Sequence, residues 1–292
     1  MKKNKLIYIV GAGRSGTTAL ATFLNGSENI ICLGELHHLP EYVDDNLHCS
    51  CGEVLDQCTF WSALNVKKLG FTSECYLQQQ QQLESHKSVL KYLFTNLGRD
   101  CDEYNAANAK LLEKVNYHSG NSSDTVCLDS AKYIGRAIAL SRNKNIDIRI
   151  IYMTRDPRGV ALSFAKKVQT SKGTLSASIY YNVINFLAEL ASCTVLKGKV
   201  CKVRYEDLLT NPFDAFTKIE AHIGVNLSET RAKIQNNESF EIGHIVGGNR
   251  LKTSGAIKFR NTDGWMKKTS RFKRFAIYIL TLPFNLINGY NA

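Results

Sequence analysis

A glycine-rich stretch near the amino terminus has the residue types that bind phosphate-like anions. It reads Gly11-Ala-Gly-Arg-Ser-Gly-Thr-Thr18, and loops of this kind present backbone N–H groups to an anion at the start of a helix. The spacing of Gly11 and Gly16 matches the phosphate loop of nucleoside triphosphatases, in which a lysine and then a serine or threonine follow; here Thr17 replaces the lysine, and Thr18 comes next. The only cation of the stretch is Arg14, which argues against an ordinary ATPase and predicts an anion held by a guanidinium.

A second stretch places an arginine and a serine after another apolar run. Arg155 follows this run, and Asp156-Pro157 opens the next helix, since proline is favoured in the first helical turn. Ser163 lies eight residues beyond Arg155, which is about two turns into that helix. Both side chains can therefore face one phosphate at the carboxyl ends of the strands.

Short apolar runs precede both stretches and predict the elements that position them. Residues 6–10 and 146–153 are typical of strands buried on both faces, and runs at 30–33, 125–128 and 200–204 predict three more. Apolar residues at helical spacing follow the first of these runs and several of the others. Strands that alternate with helices predict an α/β fold in which a parallel sheet is covered by helices on both faces.

The composition is that of a globular protein. The chain has 292 residues, of which 44% are hydrophobic and 22% are charged, which excludes disordered, collagenous and fibrous classes and fits one large α/β domain. Its net charge of +11 predicts an anionic ligand or surface. Residues 250–274 contain nine basic residues and one acidic residue, so most of the excess charge is local.

The apolar segments are too short to predict export or membrane insertion. Only five apolar residues, 6–10, follow the basic amino terminus, whereas a secretory signal needs about seven or more. The stretch 275–287 is interrupted by Pro283 and by polar residues, and it falls short of the roughly 20 residues that span a bilayer. We therefore expect a cytoplasmic chain.

Together these stretches resemble the signatures of the sulfotransferases that use 3′-phosphoadenosine-5′-phosphosulfate (PAPS) as the sulfuryl donor. Residues 10–18 resemble the G-x-x-R-S-G-T-T loop that binds the 5′-phosphosulfate, and residues 150–163 resemble the element that binds the 3′-phosphate. Asp129-Ser-Ala-Lys132 resembles the family's D-S-x-K segment, and residues 203–208 resemble its V-R-Y-E-D-L segment. Two anion sites at neighbouring strands are what a nucleotide phosphorylated at both 3′ and 5′ positions requires.

The resemblance implies an enzyme with a three-layer, nucleotide-kinase-like α/β fold. It implies in-line transfer of the sulfuryl group from PAPS to a hydroxyl or amine acceptor, with adenosine 3′,5′-bisphosphate (PAP) as product, no required metal and no nucleic-acid partner. Carbohydrates and small-molecule alcohols are the acceptors we expect. By resemblance, Arg14 and Lys132 contact the transferring group. The residues implied in nucleotide binding are Gly13, Arg14, Ser15, Gly16, Thr17, Thr18, Arg155, Ser163, Tyr205, Gly248, Asn249 and Arg250.

Transfer to a hydroxyl also needs a general base, because the acceptor must lose a proton. Glu35 follows the predicted strand at residues 30–33 and would emerge beside the glycine loop. In the branch of the family that modifies carbohydrates and proteins, which the chain resembles most, a glutamate at this position is the base. His37 and His38 are adjacent alternatives, because the branch that acts on small phenols uses a histidine. Of the three, we favour Glu35.

The resemblance implies a single domain over residues 1–292 with two additions. Residues 60–120 match no family motif, are helical in pattern and predict an insertion on the acceptor side. Residues 243–270 resemble the family's late loop, which closes over the 3′-phosphate and adenine, and their positive charge would attract the nucleotide. Basic residues also precede the apolar stretch 275–287, so peripheral contact with a membrane surface is an alternative, whereas Pro283 and Gly289-Tyr290 favour a packed carboxyl-terminal helix.

A group of metal-ligand residue types lies within residues 48–58. His48, Cys49, Cys51 and Cys58 have the ligand chemistry of zinc sites, but their spacing lacks the usual paired C-x2-C. A local disulfide, or reduced cysteines packed near the acceptor cleft, fits the sequence equally well. No metal is assigned on this basis.

Two other classes of function are compatible with the anion sites. A kinase or nucleoside triphosphatase would use the glycine loop on ATP, and the missing lysine counts against it. A non-catalytic nucleotide-binding or anion-binding protein would keep both anion sites without needing a general base.

Overall fold

Five parallel strands form the centre of the computed structural model, which describes residues 3–98, 101–120, 125–165, 171–248, 254–259 and 269–291. The strands are β1 (Asn4–Gly11), β2 (Ile30–Gly34), β3 (Val126–Lys132), β4 (Ile146–Thr154) and β5 (Val200–Arg204). Their order across the sheet is β2-β3-β1-β4-β5, and every neighbouring pair is parallel. All five predicted strands are therefore confirmed, with the strand that precedes the glycine loop in the middle.

Helices cover both faces of the sheet, as the alternating pattern predicts. They are α1 (Thr17–Leu24), α2 (Leu39–Asp44), α3 (Thr59–Leu64), α4 (Glu74–Glu84), α5 (Ser88–Phe94), α6 (Asp102–His118), α7 (Ile134–Arg142), α8 (Pro157–Ala165), α9 (Thr174–Cys193), α10 (Tyr205–Thr210), α11 (Pro212–Ile223), α12 (Ser228–Gln235), α13 (Arg271–Leu280) and α14 (Leu282–Asn288). Short 3-10 helices lie at Leu36–His38 and Val66–Leu69. Within the described part of the chain, no helix combines the length and the apolar character that a membrane span requires.

The central strand divides the apolar core into two layers. Tyr8 and its neighbours on one face of β1 pack with residues of α6, α7 and α9, whereas Ile7 and Ile9 on the other face pack with residues of α1 and α11. Successive side chains of a strand point to opposite faces, so a continuous apolar run serves both layers. This explains why the strands are recognisable in the sequence as unbroken apolar runs.

The third strand is longer than its apolar run predicts. The run ends at Leu128, but β3 continues to Lys132 because the buried Asp129 finds partners inside the protein. Arg136 Nε donates to Asp129 Oδ2 at 2.8 Å, and Arg136 also contacts Glu84 at the end of α4. Burial raises the pKa of Asp129, and the Arg136 guanidinium opposes that rise. The network therefore lets a polar segment complete the strand.

A small two-stranded sheet joins the late segment (residues 243–270) to the strand just before it. β6 (Ser239–Glu241) pairs antiparallel with β7 (Ala256–Lys258), although the sequence between residues 243 and 264 predicts loop for the most part. Phe240 in β6 is buried and packs against Phe23 of α1 with ring centroids 5.0 Å apart. This contact anchors the late segment beside the helix that follows the glycine loop.

Candidate active site

The predicted site residues follow one another along the carboxyl edge of the sheet. Glu35 comes after β2, Lys132 ends β3, Arg14 lies in the loop after β1, Arg155 comes after β4, and Tyr205 comes after β5. Because the strand order is β2-β3-β1-β4-β5, these five residues lie in that order along a single edge. Crevices outside the carboxyl ends of parallel strands are the usual ligand sites of open α/β sheets.

The glycine loop adopts the close turn that its sequence predicts. Gly16, the residue before α1, has a φ of +89°, and a Cβ there would lie 2.4 Å from the Tyr205 ring. Ser15, Thr17 and Thr18 are buried at the start of this helix. Only glycine allows both this backbone conformation and this approach, so the loop and the V-R-Y-E-D-L segment fit together at this position.

Both predicted cations of the transfer site have an unusual backbone conformation. Arg14 has a φ of +71° and Lys132 has a φ of +72°. Positive φ values are uncommon outside glycine and concentrate at functional sites, where the surrounding structure holds them. The conformation at each residue turns the chain sharply at the point where its strand or loop meets the crevice.

Arg155 joins the glycine loop to the segment after β5. Its Nη1 donates to the carbonyl of Arg14 at 2.9 Å, and its guanidinium carbon lies 4.3 Å from the centroid of the Tyr205 ring. Arg155 Nε and the Ser15 hydroxyl are buried, and neither has a hydrogen-bond partner among the described residues. Buried polar atoms normally have partners, so each of these two atoms is suited to donate a hydrogen bond to an oxygen of a bound anionic ligand.

Ser163 lies in the last turn of α8 and is partly buried. Its position two turns beyond Arg155 agrees with the spacing in the sequence. Gly248 follows Gly247, where an added Cβ would lie 2.8 Å from Glu35 Cβ, so the late segment passes directly beside Glu35. Asn249 and Arg250, the next two predicted nucleotide-binding residues, lie outside the described residues.

Glu35 and Lys132 form an ion pair at the β2 end of this edge. Lys132 Nζ lies 2.5 Å from Glu35 Oε1, and Glu35 is only 8% exposed. The backbone N–H of Glu35 donates to the carbonyl of Val246 at 2.8 Å, and Val246 N–H donates to the carbonyl of Leu33 at 3.1 Å. The late segment thus extends the sheet edge for one residue pair and fixes the backbone that carries the carboxylate.

A tyrosine of α9 contacts the glycine loop. The backbone N–H of Gly13 donates to the Tyr180 hydroxyl at 3.0 Å. Burial raises the pKa of Tyr180, the hydrogen bond from Gly13 opposes this rise, and the negative charge of Glu35 adds a smaller rise.

His37 is poorly suited to act as the base, although it lies close to Glu35. Burial, together with the nearby His38 and the cations of Arg136 and Lys132, holds the pKa of His37 far below its usual range. A base with so low a pKa accepts a proton only weakly at neutral pH. His38 has a half-exposed ring whose Nδ1 lies 3.2 Å from Glu41.

A cavity of about 490 Å³ opens beside the histidines, on the side away from Arg155. Most of its wall comes from α4 and the residues just after it, within the range predicted to form the acceptor side. Its lining residues are His37, Leu77, Gln80, Gln81, Glu84, Ser85, His86, Lys87 and Tyr133.

Several residues of the site have no signal in the sequence. Tyr180 contacts the loop although 167 positions separate it from Gly13. Phe164 lies under the Arg14 guanidinium at 5.7 Å, and Lys172 lies 5.3 Å from the centroid of the Tyr180 ring. An aromatic residue on an apolar helix face looks like a core residue, so only the fold reveals these contacts.

Comparison with known proteins identifies a matching family. The family model described as "Sulfotransferase family" matches residues 7–229, which is most of the chain. No curated protein matches the sequence significantly.

Among solved structures, the sulfotransferase domain of the Synechococcus PCC 7002 olefin synthase is similar, with 18% identity, a TM-score of 0.51, and 94% of each chain covered. The sulfotransferase domain from the curacin biosynthetic pathway has 18% identity and a TM-score of 0.53, with 96% of this chain and 98% of that chain covered. Mouse sulfotransferase SULT7A1, solved in complex with PAP, has 10% identity and a TM-score of 0.49, with 95% and 83% covered. The two sulfotransferase domains with TM-scores above 0.5 share the α/β fold, and the family match over residues 7–229 shows that the chain belongs to the sulfotransferase family.

Proposed function

We propose that the protein transfers the sulfuryl group of PAPS to a hydroxyl or amine acceptor, with Glu35 as the general base. The observation that carries this proposal is the order of side chains along the carboxyl edge of the sheet. Glu35, Lys132, Arg14 and Arg155 follow strands β2, β3, β1 and β4, which are consecutive neighbours. An in-line transfer needs the base on the acceptor side of the sulfuryl group and the leaving nucleotide on the opposite side, and this order suits that arrangement, with Glu35 towards one end and Arg155 towards the other.

Each cation has a role that its position supports. Arg155, with an unpartnered buried Nε beside the loop, would bind the 3′-phosphate together with Ser163. Arg14 and Lys132 would neutralise charge on the sulfuryl oxygens and on the leaving phosphate, where preorganised donors are worth the most. The cations supply positive charge without any step that calls for a metal.

The ion pair between Glu35 and Lys132 suggests how the base becomes available. In the structure, Lys132 Nζ contacts Glu35 Oε1. A bound donor would bring negative sulfuryl oxygens to the same ammonium group, and Lys132 would then turn from the carboxylate to the donor. Glu35 would be left to accept the proton of the acceptor hydroxyl.

The acceptor would enter through the cavity beside His37 and Tyr133. The cavity lies at the Glu35 end of the edge, and its wall carries polar groups such as Gln80 and Gln81. Most of the exposed surface of the cavity is apolar, so an acceptor would bind through apolar contacts as well as through these amide groups; a carbohydrate or a small-molecule alcohol stays the acceptor that we expect. The branch, the identity of the acceptor and the cytoplasmic location stay predictions.

Calorimetry with PAP, the product nucleotide, tests the nucleotide site directly. We expect the wild-type chain to bind PAP, and Arg155→Ala to weaken binding by about 2 kcal/mol, or roughly 30-fold, because a charge-assisted hydrogen bond is lost. Arg149→Ala is the matched control, since Arg149 is exposed on β4, the strand that Arg155 follows. Equal affinities for the two variants would contradict the assignment of Arg155.

An acceptor screen then separates transfer from binding alone. The protein is incubated with PAPS and a panel of saccharides and alcohols, and products are read by mass spectrometry for the gain of one sulfuryl group. Binding of PAP without transfer to any acceptor would favour a non-catalytic nucleotide-binding protein. Turnover of ATP with magnesium in place of PAPS would favour a kinase or nucleoside triphosphatase.

We also propose peripheral contact with a membrane surface through the carboxyl-terminal helices. Phe272, Phe275, Leu286 and Ile287 of α13 and α14 are each more than half exposed. The first turn of α13 carries the cations Arg271, Lys273 and Arg274. An apolar surface next to cations is the composition that binds anionic lipid headgroups and the acyl boundary.

Vesicle co-sedimentation tests this contact. We expect binding to phosphatidylserine-containing vesicles that falls as salt rises, weaker binding to vesicles of phosphatidylcholine alone, and loss of binding in the double variant Phe272→Ser/Phe275→Ser. Phe94→Ser is the control, because Phe94 is 86% exposed on a different helix, α5. Equal sedimentation of the double variant and the control would reject the contact.

A further inference from the structure

Three cysteines and a histidine from distant parts of the chain meet at one point. Cys49, Cys51 and Cys58 lie between α2 and α3, whereas His244 lies in the late segment after β6. Their three Sγ atoms and one imidazole nitrogen all lie within 4.8 Å of one another. His244 Nδ1 is 3.2 Å from Cys58 Sγ and 3.9 Å from Cys49 Sγ.

These separations are compatible with a tetrahedral metal site. Zinc bonds to sulfur at about 2.3 Å and to imidazole nitrogen at about 2.0–2.1 Å, so neighbouring ligand atoms around a tetrahedral zinc lie about 3.6–3.8 Å apart. The two measured nitrogen-to-sulfur distances fall on either side of this value. Three cysteines and one histidine are also a common ligand set of structural zinc sites.

The fourth ligand differs from the one that the sequence suggests. His48, next to Cys49 in the chain, lies with its Nδ1 2.8 Å from the carbonyl of Gly52 and is not part of the cluster. His244 takes its place, 186 positions beyond Cys58. Residues 48–58 contain only three members of the cluster, and this explains why their spacing does not match a complete zinc motif.

The backbone around the cluster is already held in place by hydrogen bonds. The Ser50 hydroxyl donates to the carbonyl of Gly243 at 2.6 Å and accepts from the N–H of Ile245 at 2.8 Å. Ser50 N–H donates to the carbonyl of Ile245 at 3.2 Å. The segments that carry the ligands are thus clamped together on either side of His244, as expected of a preorganised site.

We propose that Cys49, Cys51, Cys58 and His244 bind one structural zinc ion. On binding, three thiols release their protons to solvent, three Zn–S bonds and one Zn–N bond form, and no electron is transferred. Four protein ligands fill the tetrahedron, so the site has no open position for substrate. The proposal does not depend on the sulfotransferase reaction.

The position of the site gives the metal a definite structural role. His244 is two residues before Val246, whose carbonyl accepts from the N–H of Glu35. The zinc ion would fasten the late segment to the chain between α2 and α3, close to this contact. The late segment, which lies directly against Glu35, would then be held by the zinc–His244 bond as well as by hydrogen bonds.

Metal analysis of the full-length chain tests the proposal. The protein is purified without a metal-affinity step from cells grown with zinc, and its zinc content is quantified by inductively coupled plasma mass spectrometry. We expect about one zinc ion per chain. Addition of cobalt to the metal-stripped protein should give the intense visible bands of tetrahedral cobalt together with thiolate charge-transfer absorption.

Variants with matched controls identify the ligands. Cys51→Ser changes an exposed residue, so the chain should fold, and we expect its zinc affinity to fall by at least about 100-fold, since even loss of a group that only supports a ligand costs about 10–100-fold. His244→Gln should act in the same way. Cys75→Ser and Cys193→Ser change exposed cysteines outside the cluster and should keep the metal.

Three results would overturn the proposal. The first is wild-type protein with a negligible zinc content that also gives no tetrahedral cobalt spectrum. The second is a Cys51→Ser variant that binds zinc as tightly as Cys193→Ser. The third is a disulfide between two of the cluster cysteines, found by mapping alkylated peptides of freshly isolated protein without reductant, because thiols joined in a disulfide cannot bind the metal.

Discussion

Replacement of Glu35 by glutamine is expected to lower kcat by about 10²–10⁴, which is the usual contribution of a positioned general base. Glutamine keeps the size of the side chain but cannot take the proton of the acceptor. Affinity for PAP should be nearly unchanged, because Lys132, the contact of Glu35 in the structure, is left without its carboxylate and stays available to the nucleotide. Single-turnover sulfation with saturating PAPS, together with calorimetry, measures the two effects separately.

The control for this variant is Glu41→Gln, since Glu41 is an exposed carboxylate nearby that contacts only His38 among the described residues. It should leave kcat within the experimental error of the wild type. His38→Gln tests the alternative base. Full turnover in Glu35→Gln combined with a large loss in His38→Gln would transfer the role to the histidine.

The strands and the glycine loop are predictable because their signals are local. Residues 6–10 are apolar without interruption because both faces of β1 are buried, and Gly16 occurs where a positive φ and a close aromatic ring both exclude a side chain. Each of these constraints acts on a few consecutive residues. A sequence can therefore show them without any knowledge of the fold.

The rest of the site is set by contacts between residues far apart in the chain. Tyr180 on α9 meets Gly13, and His244 meets Cys58, yet neither residue has a distinctive neighbourhood in the sequence. The length of β3 is also unpredictable, because Asp129 in a strand is favourable only when Arg136 is placed beside it. Such pairings depend on the order of the strands, which local patterns do not encode.

Replacement of Arg136 by methionine is expected to reduce the free energy of unfolding by about 3–5 kcal/mol, the usual cost of removing one member of a buried ion pair. Arg136 is only 1% exposed and contacts two carboxylates, Asp129 and Glu84, both nearly or fully buried. Methionine fills similar volume but leaves both carboxylates without a cation. Urea unfolding monitored by circular dichroism measures the change, with Lys144→Met, an exposed position just after α7, as the control.

The pH dependence of the same variant distinguishes lost charge compensation from lost packing. Burial raises the pKa of Asp129, and Arg136 is the group that opposes this rise, so removal of Arg136 should raise the pKa of Asp129 in the folded state further above its unfolded value. A carboxyl group with a raised folded pKa is most favourable to the native state when protonated, so the destabilisation should shrink as pH falls from about 7.5 towards 5. A difference in stability that does not change with pH would indicate a packing defect alone.

Neutral replacements of the carboxylates should then rescue the protein. The triple variant Arg136→Met/Asp129→Asn/Glu84→Gln has no unpaired buried charge, and replacement of a whole buried ion network is often close to neutral. The asparagine amide of this variant would keep an oxygen for the N–H groups of Leu36 and Ala131, which Asp129 Oδ1 accepts in the wild type at 3.3 and 2.9 Å. Because Leu36 follows Glu35 and Ala131 precedes Lys132, recovery of stability together with turnover would indicate that the hydrogen bonds from position 129, rather than its charge, hold the backbone beside the proposed base and its cation.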